Sequence, residues 1–339
     1  MEVSSILLTR LLSETVKRGA RGLQLTVGSP PMFRVGDNIE KIEGENMVDV
    51  TLIESIINSF LDEKEAERLK KEKEIVLVKN MSGNMRFRIN IYYQKNLPDL
   101  SFRYIPNVTK NLEELNLPEV VHSFVERDSG LIIVAGPLGS GKTSTVASII
   151  ELINNTKAKN ILTIENPIEY LFNSKKSIIS QREIGQDVNT FLDGLNFAFE
   201  QEIDLLYLSE IRRGFEEAMP IILDLASGNS LILLELSTNN TISAIEKMLE
   251  AASVNSSKEA VRYSLADNLI GVIIHKLLPK RGGGMILATE IMVANSAIKS
   301  LIREGRIAQI ESIIQTSRNE GMTSMERSIQ ELRDKGRIV

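Results

Sequence analysis

The sequence contains no cysteine, which excludes disulfides and thiolate metal ligands. Only His122 and His275 could offer an imidazole, too few for a structural zinc site. No apolar run approaches the ~18 residues that a membrane-spanning helix needs, so no direct membrane insertion is expected. The first helical segment begins MEVSSILLTRLL without a basic leader and carries Glu2, Arg10 and Glu14 within its apolar pattern; it does not read as a secretion signal, and a cytoplasmic protein is expected. Positive charge is not in excess either. Forty Lys and Arg face 45 Asp and Glu, a net charge of −5, whereas nucleic-acid phosphates demand clustered cations, so nucleic acid is not an expected partner. Internal repeats and low-complexity tracts are also missing.

A chain of 339 residues, at about 150 residues per domain, predicts two domains, and its 42% hydrophobic and 25% charged content is that of ordinary globular proteins. The N-terminal part combines the amphipathic opening helix, a short apolar strand over Gly22 to Val27 and the Ser29-Pro30-Pro31 turn. Alternation in Met85 to Ile91, with a return through Leu100 to Tyr104, predicts a hairpin, and Glu63 to Lys73 predicts a charged, solvated helix. Ile105-Pro106-Asn107 breaks the pattern, which places a boundary near 107 and gives a small α+β domain over 1–107 and a larger one over 108–339. In the larger part, apolar strands at Leu131 to Ala135, Asn160 to Ile164, Leu205 to Leu208 and Leu231 to Leu236 alternate with helical stretches. That rhythm predicts a mostly parallel, helix-covered sheet of the α/β class. A helical tail is expected from about 295 to 339.

The first of these strands runs straight into Gly136-Pro137-Leu138-Gly139-Ser140-Gly141-Lys142-Thr143-Ser144 and then a helix. Strand, glycine-rich loop and helix in this order predict a phosphate cradle: the glycines let backbone N–H groups face phosphate, the helix N-terminus adds positive potential, Lys142 reaches the β- and γ-phosphates and Thr143 can ligate Mg²⁺. At ordinary glycine frequency a chance match is on the order of one in a hundred for a chain of this length. ATP and Mg²⁺ are therefore the expected ligands. Leu205 to Leu208 ends in Ser209-Glu210, which sets a carboxylate at the edge of the sheet, either as a Walker B acid or as a cap on the next helix. Thr163-Ile164-Glu165-Asn166-Pro167-Ile168-Glu169 also follows a strand; its two carboxylates could hold Mg²⁺ through water or orient an attacking water, or belong to an ordinary loop.

Taken together, GPLGSGKT, ILTIENPIEY, SQREIG, LSEIRR and ANSAIKSLIREGRIAQ resemble the PilT-like type IV pilus retraction ATPases of the type II/IV secretion ATPase superfamily, in matching order and over nearly the whole chain. The resemblance implies a RecA-like P-loop core with a small N-terminal PAS-like domain. It makes Lys142 and Thr143 the phosphate and Mg²⁺ contacts, Glu169 the general base, Glu210 the Walker B acid, acting on Mg²⁺ through water, and Glu165 a supporting carboxylate. Arg86, Arg88 and Arg103 would engage the γ-phosphate, work that suits a planar, always-charged fork, although outward residues of a hairpin would look the same. It further implies a homohexamer acting on an inner-membrane platform protein, with a paralogous retraction or assembly ATPase as a possible companion. Ala297 to Glu304 resembles a motif linked to retraction itself. Pilus-assembly and type II secretion ATPases share the motor core but carry a longer N-terminal region and a tetracysteine module, which disfavours a secretion or DNA-uptake reading.

Several positions depart from the family pattern. Asn166 stands for an aspartate, Ser209 for a glycine, Glu235-Leu236-Ser237 for a Thr-Leu-His element, Asn229 for a histidine, and Glu200 and Ser129 for arginines. The resemblance therefore predicts nucleotide binding with slow turnover, or an accessory ring subunit of low activity, with Glu200 adding repulsion if it faces the phosphates.

Overall fold

The computed structural model of the chain describes residues 2–36, 38–254 and 256–339, with side chains from residue 5 onward; Glu2 of the opening segment thus has no described side chain. The fold divides into two compact units, one ending at Val108 and the other beginning at Thr109.

The first unit opens with α1 (Glu2–Lys17), followed by β1 (Gly22–Thr26), β2 (Met32–Val35) and β3 (Asn38–Lys41). Next come α2 (Val50–Phe60), α3 (Glu63–Glu72), β4 (Glu74–Met81), β5 (Met85–Gln94) and β6 (Leu97–Ile105). The strands form one antiparallel sheet in the order β3-β2-β1-β6-β5-β4. The expected hairpin is β5–β6, in register Arg88 to Arg103 and Ile89 to Phe102. Alternate residues of a strand point to opposite faces, so Phe87, Ile89, Ile91, Leu100 and Phe102 bury one face against α1 and α2 residues such as Leu11, Leu12 and Ile53. α3 is charged, as predicted, and is closed at its start by a reciprocal box in which Asp62 accepts from the Glu65 amide and Glu65 from the Asp62 amide.

The second unit carries α4 (Val120–Val125), β7 (Gly130–Ala135), α5 (Lys142–Thr156), β8 (Asn160–Glu165), β9 (Ile178–Glu183) and α6 (Phe191–Phe199). They are followed by β10 (Leu205–Leu208), α7 (Phe215–Ser227), β11 (Leu231–Leu236), α8 (Thr241–Ala252) and α9 (Lys258–Asn268). The hairpin β12 (Leu269–Pro279) and β13 (Met285–Val293) then leads to α10 (Ser296–Glu304), α11 (Ile310–Thr316) and α12 (Met325–Asp334). The sheet order is β13-β12-β7-β11-β10-β8-β9, parallel throughout except for the antiparallel edge strand β13. This is the parallel, helix-covered α/β sheet that the alternation predicts, and β7, β8, β10 and β11 are its four expected strands. All residues of β7, β10 and β11 are buried, the uninterrupted burial typical of a central parallel sheet covered on both faces. Among the described residues no helix is long and apolar enough to cross a membrane.

Candidate active site

Parallel strands deliver their loops to one edge of a sheet, and β7, β11, β10 and β8 end side by side. β7 passes directly into the glycine-rich loop. Gly136, Gly139 and Gly141 have φ of 152°, 76° and 93°, in the left-handed region that favours glycine. A Cβ on Gly136 would stand 2.6 Å from Ser140 Oγ and 2.8 Å from the His275 carbonyl oxygen, so only glycine lets the loop fold this tightly on β12. α5 begins at Lys142, and its first N–H groups, without partners inside the helix, open into the loop. Lys142 is buried and folds back over the loop, donating from Nζ to Gly136 O at 2.8 Å and Pro137 O at 3.2 Å. Ser140 Oγ is buried with no hydrogen-bond partner. A cradle of glycines, a captive ammonium and an orphaned hydroxyl fits a polyphosphate.

Facing this loop lie three buried carboxylates. Glu165, the last residue of β8, accepts from Thr163 Oγ1 at 2.7 Å and Gln181 Nε2 at 3.1 Å. Burial pushes it up from 4.5 to about 8, against the pull of these two donors and helped by the charges of Glu235 and Glu169. Glu235, near the end of β11, is pushed up to about 7, first by burial; the Tyr207 hydroxyl, the Lys142 charge and the Thr143 hydroxyl all favour its ionised form. Tyr207 donates to Glu235 Oε1 at 2.8 Å. Glu169 is also buried. Its loop, residues 166–172, is clasped to the sheet by side chains of β9: Glu183 accepts from the Ile168 amide at 2.9 Å, and Gln181 accepts from the Phe172 amide at 2.9 Å while donating to Tyr170 O at 2.8 Å. Tyr170 also shares a hydrogen bond of 2.9 Å with Ser144 at the head of α5, which fastens the carboxylate loop to the phosphate loop.

The structure thus brings residues 136–144, Glu165 and Glu169 together. Glu210 follows β10 at the same edge, half-buried. Arg86, Arg88 and Arg103 belong to the other unit, where cross-strand register places all three on the sheet face opposite Phe87, Ile89 and Phe102. The departures from the family pattern separate by edge. Ser209 accepts from the Asn166 amide at 3.1 Å, so its hydroxyl has a structural use where glycine would have none. Ser237 lies just past β11, exposed, near the loop. Glu200, by contrast, caps the end of α6 just before β10 begins, while Asn229 precedes β11 and Ser129 precedes β7. These three occupy the amino edge of the sheet, so the expected repulsion between Glu200 and phosphate does not arise at the loop of its own chain. Sequence reasoning gave no role to Glu235, Tyr207, Gln181 or His275. An acid closing the apolar run Leu231 to Leu234 was the available signal for Glu235.

For a metal, no cluster of three or more acids or histidines among the described residues is arranged to hold one alone. The Thr143 hydroxyl beside Glu235 is instead the donor set of a hard cation that takes its remaining ligands from phosphate and water, which fits Mg²⁺ carried by a nucleotide.

A phosphate-binding loop between a buried parallel strand and a helix, faced by carboxylates from neighbouring strand ends, defines a P-loop ATPase. The chain belongs to the type II/IV secretion system protein family, whose sequence model matches residues 7–337. It is 33% identical over 331 residues to the type IV pilus retraction ATPase PilT of Pseudomonas aeruginosa, covering 98% of this chain and 95% of that one. It is 27% identical over 331 residues to the type IV pilus ATPase PilU of the same organism, covering 97% and 86% of the two chains. A crystal structure of the pilus retraction motor PilT with bound ADP superposes with a TM-score of 0.82 at 34% identity, over 97% of this chain and 93% of that one.

Proposed function

We propose that the chain is the ATP-driven motor of type IV pilus retraction and twitching motility, working as a cytoplasmic homohexamer against an inner-membrane platform protein. The observation that carries this reading is the phosphate loop with its inward lysine set before buried carboxylates, in a chain that is similar to retraction ATPases along nearly its whole length. Lys142 and the amides of residues 136–144 hold the phosphates. Thr143, with Glu210 through water, holds Mg²⁺, which would supply charge neutralisation on the β- and γ-oxygens. Glu169 takes the proton of the attacking water, and Glu165 supports it. Arg86, Arg88 and Arg103 reach the γ-phosphate of a neighbouring subunit, with residues 1–107 and 108–339 acting as separate domains. α10, whose Ile298, Leu301 and Ile302 are buried, carries the segment tied to retraction, and a paralogue of the PilU kind fits as a companion ATPase.

A second reading, an accessory ring subunit of low activity, is favoured by one observation: Glu235 and Ser237 stand at the carboxyl edge beside the loop, where the family pattern has threonine and histidine. Cells deleted for the gene test both. A motor predicts surface pili that no longer retract, restored by the wild-type chain and not by Lys142→Ala. Restoration by Lys142→Ala would favour the accessory role, and loss of pili altogether would favour an assembly ATPase.

A further inference from the structure

Glu235 is one of the positions at which this chain departs from the family pattern, and its place in the sheet is specific. Sheet order puts β11 directly against β7, the strand that feeds the phosphate loop, with Glu235 in register with Val134. Glu210 follows β10, one strand further away, and adjacent strands are ~4.8 Å apart. The Thr143 hydroxyl and the Lys142 charge both favour the ionised form of Glu235. Glu165 is engaged by Thr163 and Gln181. Glu235 is 4% exposed, and the strand around it supplies only leucine and isoleucine, so packing alone does not ask for an acid there. Tyr207 takes one position on Oε1, whereas a carboxylate offers about four acceptor sites. Capacity therefore remains on the side of the phosphate loop.

Resting on the nucleotide-site reading above, we propose that Glu235 is a metal-positioning residue: with Thr143 it directs a divalent cation carried by nucleotide phosphates, and Tyr207 fixes the rotamer in which it does so. Mg²⁺ is a hard cation usually bound through one or two carboxylates plus phosphate oxygens and water, and Glu235 with Thr143 supplies such a pair of side chains, with Glu210 acting through water. The replacement of threonine by glutamate in the Thr-Leu-His element then adds a carboxylate on β11, next to the strand that carries the loop, to the one that follows β10.

The test is the linkage between metal and nucleotide, which binding measures without turnover. ADP affinity is measured by calorimetry in EDTA and in Mg²⁺, and bound Mn²⁺·ADP is followed by electron paramagnetic resonance. The proteins compared are wild type, Glu235→Gln and Glu235→Thr, with folding checked by circular dichroism. The expected result is that Mg²⁺ tightens ADP binding in the wild type and that Glu235→Gln reduces this enhancement about tenfold or more, with a changed Mn²⁺ signal and no loss of affinity in EDTA. Glu235→Thr provides the same comparison should the amide not fold. An enhancement unchanged in either folded variant overturns the proposal. So does a gain in EDTA affinity with the enhancement intact, since that outcome makes Glu235 an internal competitor of phosphate. Absence of ADP binding by the wild type in both conditions would overturn the nucleotide site itself, and this proposal with it.

Discussion

Glu165 is held where its neutral form is favoured, and that has a measurable sign. Burial raises it from 4.5 to about 8, so between those values the native chain keeps a proton that the unfolded chain has released. Its contribution to stability is full below 4.5 and is lost as pH rises toward 8. His275 has the opposite sense: burial lowers it from 6.5 to about 4, and its contribution is lost as pH falls through that window. His275 and Glu235, the latter raised to about 7, titrate in both wild type and Glu165→Gln, so the difference between the two proteins from pH 6.5 to 8 reports the Glu165 carboxyl. Unfolding free energy of the wild type is predicted to fall by about 2 kcal/mol over that range relative to Glu165→Gln, measured by urea titration followed by circular dichroism. Equal slopes would mean that Glu165 is ionised in the native state. The motif around Glu165 was legible in the sequence as a pair of carboxylates after a strand. Its protonation was not, because that depends on Thr163, Gln181 and two other acids that only the fold brings together.

At the level of elements, β9 determines where Glu169 stands. Gln181 receives the Phe172 amide and donates to Tyr170 O, two ties between an edge strand and the loop of the candidate base, and also donates to Glu165 Oε1 at the end of β8. Gln181→Ala is predicted to lower the catalytic rate between ~10-fold and ~100-fold while changing ATP affinity little, since it displaces a group needed in the transition state and spares the phosphate loop. Steady-state kinetics separate the two effects, and a rise in KM at constant kcat would place Gln181 in binding instead. Four of the inner strands of the sheet, β7, β8, β10 and β11, were readable as short apolar runs between helices. β9 escaped because Ile178-Ile179-Ser180-Gln181-Arg182-Glu183 is mostly polar, as an edge strand tolerates, and its partners are fixed by the fold. The β12–β13 hairpin also escaped, though two long apolar runs joined at Gly282-Gly283-Gly284 carried its signal.

At the scale of the whole molecule, the phosphate loop and carboxylates lie in one unit, and Arg86, Arg88 and Arg103 lie together on one sheet face of the other. If those arginines serve a neighbour's nucleotide, mixing Arg103→Ala subunits with Lys142→Ala subunits restores part of the hydrolysis that each lacks alone, because some mixed interfaces join an intact loop to an intact arginine. No recovery in verified mixed rings would count against sharing. The glycine-rich loop between strand and helix was legible in the sequence. The sequence could not show that Glu200, Asn229 and Ser129 cluster at the opposite edge from Ser209 and Ser237, because edge is a property of strand direction and order. Of the altered positions beside the loop, Ser237, which stands where the family pattern has histidine, is therefore the one expected to slow the chain's own turnover. The central claim is that ATP is hydrolysed at this loop, slowly, and steady-state phosphate release by the purified protein in saturating Mg²⁺ and ATP tests it most directly. The account predicts release below about 1 s⁻¹ per subunit that disappears in Lys142→Ala; release of equal rate in both proteins would contradict it.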